Sequence, residues 1–141
     1  MVFERPHPTH YPRQARQAPG FIAVSLLSAL LGTTWFLARR CHRLEVSGRS
    51  MLPSFAPGDR VVAVEGLRVR AGDVVAMVDP RDSSRLLVKR VHRVAGGSVE
   101  VLGDNEPEST DSRTFGQVSL AAIRGRVIYR YFPPARAGLL P

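Results

Sequence analysis

Residues 21–38 read FIAVSLLSALLGTTWFLA, and no charged residue falls between Arg16 and Arg39. Only Ser, Thr and Gly interrupt the apolar run, so no polar helical face emerges. A helix of this length extends about 27 Å, close to the ~30 Å hydrocarbon core of a bilayer. Trp35 and Phe36 stand near one end, as interfacial aromatics do. The pattern predicts one transmembrane anchor over residues 21–38. A cleaved secretory signal would carry a shorter apolar stretch and a small-x-small site, whereas this run ends in LARRC. Three arginines on one flank (5, 13, 16) and four on the other (39, 40, 43, 49) leave the orientation unset by charge.

From Leu44 onward the period changes. Short β-branched runs alternate with turn residues: RVVAV (60–64), DVVAMV (73–78), LLVKRVHRV (86–94), SVEVL (98–102) and GRVIYRYF (125–132). Each reads as a strand. PGD (57–59), AGD (71–73), DPRD (79–82) and AGG (95–97) supply the turns between them. VSLAAI (118–123) reads as one or two helical turns, and residues 133–141 as an irregular end. The expected fold is mostly β: a compact, barrel-like domain of short antiparallel strands over residues 44–132, behind the N-terminal helix.

Composition changes this picture little. Residues 1–20 hold four of the eleven prolines and read as a flexible polar tail. The net charge of +8 admits a nucleic acid or an anionic membrane surface as partner. The arginines are scattered and not interleaved with aromatics, so nucleic acid is not the expected partner. Cys41 is the sole cysteine, which excludes an intrachain disulfide. No Cys/His cluster has zinc spacing, and no metal or cofactor is expected.

Three stretches carry candidate chemistry. In EVSGRSMLPSFAPGD (45–59), Ser50 sits at a turn after a strand, with backbone N–H groups nearby, as a nucleophile and an oxyanion hole require. It can equally be a turn serine bonding its own backbone. In LLVKRVHRV, Lys89 is the single lysine against 19 arginines. Strand alternation puts it on one face with Leu87 and Val91, and puts Val88, Arg90 and His92 on the other. Desolvation there would depress its pKa and allow general-base work; a surface lysine lying over apolar neighbours is the alternative. LGDNEPESTDSRTFG (102–116) is dense in carboxylates and hydroxyls but lacks the spacing of a calcium loop. A loop held by its own hydrogen bonds and an Asp–Arg pair fits it better.

Taken in order behind an N-terminal anchor, SGRSMLPSF, PGD, GDVV, LVKRV and GDNEPESTDSRTFG resemble the type I signal peptidases, membrane-anchored Ser/Lys proteases. The resemblance runs from about Leu44 to Tyr131. It implies Ser50 as nucleophile, Lys89 as general base, and Ser109 as the hydroxyl that orients the lysine amine. It implies Asp111 and Arg113 as a structural ion pair, Asp104 and Asn105 as the start of their loop, and Met51 and Pro53 as residues shaping the site. Gly48 replaces a serine that helps the oxyanion hole in some members. The short spacing from Lys89 to Gly103 marks a minimal form. Endoplasmic-reticulum members use His where bacterial ones use Lys, and this chain holds both VKRV and VHRV, which makes His92 the alternative base.

The function so implied is a single-pass membrane serine endopeptidase with an extracytoplasmic catalytic domain. It would remove signal or leader peptides from precursor polypeptides bearing small residues near the cleavage site. The alternatives are a maturation protease dedicated to one substrate, such as nickel-type superoxide dismutase, a LexA-type self-cleaving protease, and an inactive membrane-anchored binding module.

Overall fold

The computed structural model describes residues 19–140, with the side chains of residues 19–23 and 36–37 left aside. All but the last two residues of the expected tail lie outside the described residues. Helix α1 covers Pro19–Arg39. Among the described residues no helix is long and apolar enough to cross a membrane. The anchor expected over residues 21–38 also draws on Phe21, Ile22, Ala23, Phe36 and Leu37, which fall outside the described side chains. The described chain divides into two compact units, which part between Trp35 and Phe36.

The second unit is built on one antiparallel sheet. Its strands are β1 (Cys41–Glu45), β2 (Arg60–Val64), β3 (Val74–Asp79), β4 (Asp82–Ala95), β5 (Ser98–Leu102), β6 (Val118–Ser119), β7 (Ile123–Phe132) and β8 (Gly138–Leu139). They lie in the order β1-β2-β7-β3-β4-β5-β6, with β8 added to β7. The expected barrel is corrected here: the ladder runs from β1 to β6 and does not close. Instead, β3 sits centrally and is buried on both faces. Val74 and Ala76 join a cluster with Met51, Phe55, Val61 and Val127, while Val75 and Met77 join Val91, Val99 and Val101 on the other side. A strand covered twice needs a continuous apolar run, which is what VVAMV supplies.

The turns form where their residues demand. Gly96 and Gly97, both at positive φ (56° and 82°), close the β4–β5 hairpin between Ala95 and Ser98. At the β3–β4 hairpin, the buried Asp79 carboxylate accepts from the backbone N–H and Nε of Arg81 at 3.0 and 2.9 Å. The stretch 118–123 folds as the short β6 followed by a 3₁₀ turn, Leu120–Ala122.

The C-terminal segment is more ordered than expected. A 3₁₀ turn, Pro134–Arg136, and β8 replace the irregular end. They are held by Asp59, which is 1% exposed and receives the guanidinium groups of Arg130 and Arg136. Arg130 also donates to the Ser54 carbonyl at 2.8 Å and lies over the Phe55 ring. This segment thus pins the loop that follows Ser50.

Candidate active site

Ser50 lies in a tight turn between β1 and β2. The Leu52 N–H donates to the Arg49 carbonyl (3.1 Å) and the Phe55 N–H to that of Met51 (2.8 Å). Met51 and Phe55 are each 1% exposed, so the turn is moored by two large core side chains. Their burial contributes about 1.5–3 kcal/mol each. Ser50 is half-buried beside them, Pro53 is exposed, and Gly48 faces open space. Among the described residues none accepts the Ser50 amide N–H, so that donor is free for a ligand oxygen.

Lys89 lies on β4. It pairs in register with Val75, and Met77 with Leu87, so its side chain enters the layer formed by Val75, Met77 and Val91. That is the face strand alternation predicts. Only 2% of the residue is exposed. Burial holds the amine below the ordinary lysine range, against the attraction of Asp111, and Arg113, Arg81 and Arg85 lower it further.

The loop after β5 completes the cluster. Lys89 Nζ donates to Ser109 Oγ at 2.9 Å, and Ser109 Oγ donates to Asp111 Oδ2 at 2.6 Å. Asp111 is fully buried. Burial alone would raise its pKa. Arg113 (Nε 3.0 Å, a terminal nitrogen 2.6 Å), the Gly103 N–H (2.9 Å) and Ser109 outweigh burial and keep it well below the usual carboxylate range. The direction of the Ser109 proton follows. An ionised carboxylate only accepts, so the Ser109 hydroxyl gives Asp111 its one proton and offers Lys89 only lone pairs. The amine must donate to Ser109, and its own lone pair, when neutral, is left for another proton.

The same loop grips the Ser50 turn. The Asn105 N–H donates to the Ser50 carbonyl at 2.9 Å, and Asn105 Nδ2 to the Arg49 carbonyl at 3.0 Å. Asp104 takes Arg90 in a two-point pair, 2.8 and 2.7 Å. Arg90 also donates to the Gly72 carbonyl at 2.9 Å. Gly103 is the contact point: a Cβ there would lie 2.1 Å from Ser109 Oγ and 2.6 Å from the Ser50 carbonyl oxygen. Sequence reading missed the roles of Arg90 and Gly103. Alternation put Arg90 on the face opposite Lys89, but its carboxylate partner lies across the fold.

Of the residues singled out from sequence, Ser50, Met51, Lys89, Asn105, Ser109, Asp111 and Arg113 converge in this region. His92 stands elsewhere. It is exposed at a bulge of β4, between the pairs Val91–Val101 and Arg93–Glu100. A cavity of about 80 Å³ opens beside Ser50, lined by Ser47, Gly48 and Met51 on one side and Leu86, Leu87 and Val88 on the other. β4 pairs with β3 along Asp82–Arg90 but with β5 only from Arg90 on. Residues 85–88 therefore present a bare strand edge to the cavity.

The buried amine makes a stability prediction. Below its lowered pKa the folded chain must hold a buried ammonium. Between that value and the unfolded range near ~10.4, the unfolded chain binds the extra proton, so wild-type stability rises with pH across the window. Lys89→Met, which never carries the charge, is expected to melt higher than wild type near neutral pH, with the gap closing as pH climbs toward 10. Melting curves of both proteins from pH 6 to 10 test this; a gap that widens with pH contradicts it.

Residues 28–128 match the family model described as Peptidase S24-like. The chain is 33% identical to the mitochondrial ATP-independent inner membrane protease subunit 1a of Arabidopsis thaliana, over 84% of this chain and 85% of that protein. It is 29% identical to the mitochondrial inner membrane protease subunit 2 of Danio rerio, over 82% and 74%. To subunit 2 of Schizosaccharomyces pombe it is 36% identical, over 66% of each chain. With a match across most of its length and protease subunits similar over most of theirs, the chain belongs to the Peptidase S24-like family and is a signal-peptidase-like protease.

Proposed function

We propose that the protein is a membrane-anchored serine endopeptidase that uses Ser50 and Lys89 to remove N-terminal signal or leader peptides. The observation that carries the reading is the relay Lys89–Ser109–Asp111, which leaves a desolvated amine with its lone pair unspent and whose Ser109 meets the Ser50 turn across Gly103.

Neutral Lys89 takes the Ser50 proton as the hydroxyl oxygen attacks the scissile carbonyl. The oxyanion forms against the free Ser50 N–H and its neighbours in the turn. The lysine ammonium then protonates the leaving amine. Lys89, neutral again, activates the water that releases the acyl group. Ser109, fixed by Asp111, keeps the amine from turning away between the steps, and Arg113 balances the carboxylate charge.

The substrate is a polypeptide in extended form. The bare edge at residues 85–88 offers backbone groups to a new strand, and the 80 Å³ cavity beside Ser50 suits a small side chain such as that of alanine. The anchor is α1. Its described apolar side chains, Val24, Leu26, Leu27, Leu30, Leu31 and Trp35, are all exposed. Its hydroxyls turn inward: Ser28, Thr33 and Thr34 each donate to a carbonyl four residues back at 2.8 Å, as polar groups must where no water is present. The proposed catalytic domain is extracytoplasmic, where a precursor's signal end emerges.

A serine-directed acylating inhibitor tests the reading. Incubation with the full-length chain is expected to leave one adduct, on the peptide containing Ser50, by mass spectrometry. The adduct should form far more slowly in Lys89→Ala. An unmodified Ser50, or an adduct on another residue, sinks the assignment.

A further inference from the structure

A cavity much larger than the one beside Ser50 lies away from it. It holds about 780 Å³ and is walled by the β2–β3 loop, the far end of β4 and the start of β7. Leu67, Val69, Leu120 and Ile123 give it an apolar lining. Around that lining stand four arginines, 68, 70, 93 and 126, and none of the lining residues is acidic. Two of the four have ion pairs: Arg93 with Glu100 across the β4–β5 hairpin at 3.5 Å, and Arg126 with Asp73 at 3.4 Å. The Arg68 and Arg70 side chains enter no ion pair or hydrogen bond among the described residues. Asp73, the nearby buried carboxylate, is occupied by the Arg70 backbone N–H (2.7 Å) and Arg126. The groove therefore carries uncompensated positive charge next to an apolar wall.

We propose that this groove binds an anionic phospholipid, with the phosphodiester headgroup on Arg68 and Arg70 and the upper acyl chains on Leu67, Leu120 and Ile123. Charge complementarity alone would admit any phosphate, but a free ion has no use for the apolar wall. Position adds a second argument. The chain enters this unit beside the groove: the Arg40 carbonyl accepts from the Glu65 N–H at 2.9 Å, and the Arg40 guanidinium lies against Gly66, which lines the cavity. α1 ends one residue earlier, at Arg39. If α1 is the anchor, as proposed above and as this inference requires, the stretch of chain that borders the groove is the one that leaves the bilayer.

The test is lipid retention by the full-length chain, released from neutral detergent micelles doped with phosphatidylglycerol or phosphatidylcholine and weighed by native mass spectrometry. Each arginine near an anionic headgroup is worth about fivefold in binding. Wild type is expected to retain phosphatidylglycerol about tenfold or more over phosphatidylcholine. Arg68→Gln/Arg70→Gln should bring the two lipids close to parity. Both variant positions are exposed and outside the catalytic cluster, so inhibitor labelling at Ser50 should match wild type. Four outcomes would overturn the proposal: no preference in wild type, an undiminished preference in the double variant, displacement of the lipid by millimolar inorganic phosphate, or displacement by an acidic peptide. The undiminished preference would place the lipid on Arg39, Arg40 and Arg43. The readings beneath the proposal fail separately. A chain that stays dispersed without detergent removes the anchor, and an unlabelled Ser50 removes the peptidase, while the lipid ratio still scores the groove.

Discussion

Lys89→Arg is expected to abolish precursor cleavage, by a factor on the order of 10⁴, although it preserves the charge. In the proposed mechanism the base must be able to give up its proton before it can accept one from Ser50. A lysine amine held below its ordinary range by burial meets that condition, whereas a guanidinium does not deprotonate in a protein. The substitution also brings a planar, five-donor group to a site with one hydroxyl acceptor at 2.9 Å. Single-turnover cleavage of a precursor, with a melting curve to show the variant is folded, gives the answer. Arginine activity within about tenfold of wild type would end the general-base role. The companion His92→Ala should cleave within about threefold of wild type, because His92 is exposed at the β4 bulge, borders the arginine groove and, among the described residues, makes no bond to Ser109 or the Ser50 turn. Loss of activity in that variant with retention in Lys89→Arg would transfer the base to His92.

Gly103→Ala is expected to be the most damaging single-methyl change in the molecule. Its backbone is not in the left-handed region, so the penalty is purely steric. A Cβ would fall 2.1 Å from Ser109 Oγ and 2.6 Å from both Ser109 Cβ and the Ser50 carbonyl oxygen. None of these can yield freely. Ser109 is held between Lys89 and Asp111, and the Ser50 carbonyl by the Asn105 N–H. Forcing them apart should cost about 3 kcal/mol of stability, the upper part of the usual overpacking range. Cleavage should fall by at least about 100-fold, since ångström-scale displacement of a catalytic group has that effect. Denaturant unfolding and cleavage rates measured together decide it. An alanine variant with wild-type stability and rate would mean that the contact between the two loops is not what positions the proposed dyad. Gly48→Ala is the control. Its Cβ would meet nothing within 4 Å, so stability should be nearly unchanged.

Much of the candidate site was legible before any coordinates. Alternation in LLVKRVHRV put Lys89 among Leu87 and Val91 and turned Arg90 away, and the register of β4 on β3 does the same. The hydroxyls and carboxylates of residues 102–116 read as a self-bonded loop, and Asp111 does accept from Ser109 and Arg113. Less visible was that Asn105 holds the Ser50 turn, or that Arg90 binds Asp104. These bonds join residues 14 and 55 positions apart, and nothing in their immediate neighbours marks them as partners. His92 entered as the alternative base through the VHRV resemblance, although alternation already faces it away from Lys89; in the fold it stands exposed at a β-bulge between Val91 and Arg93.

The sequence by itself determined where the chain is extended, where it turns, and which face of each strand is apolar. Those properties depend on steric preference and a two-residue period, both local. It also determined the inventory of candidate reacting groups: one lysine, a serine before Met and Pro, and a loop of hydroxyls and carboxylates. The tertiary structure alone decided that the sheet stays open, with β7 inserted between β2 and β3. It decided that Asp59 gathers Arg130 and Arg136 from the far end of the chain. It decided, too, that Ser109 spends its proton on Asp111 and so leaves the lysine lone pair unused. Each of these is a choice among several partners of suitable chemistry, and distance in the folded chain, not order along it, makes that choice.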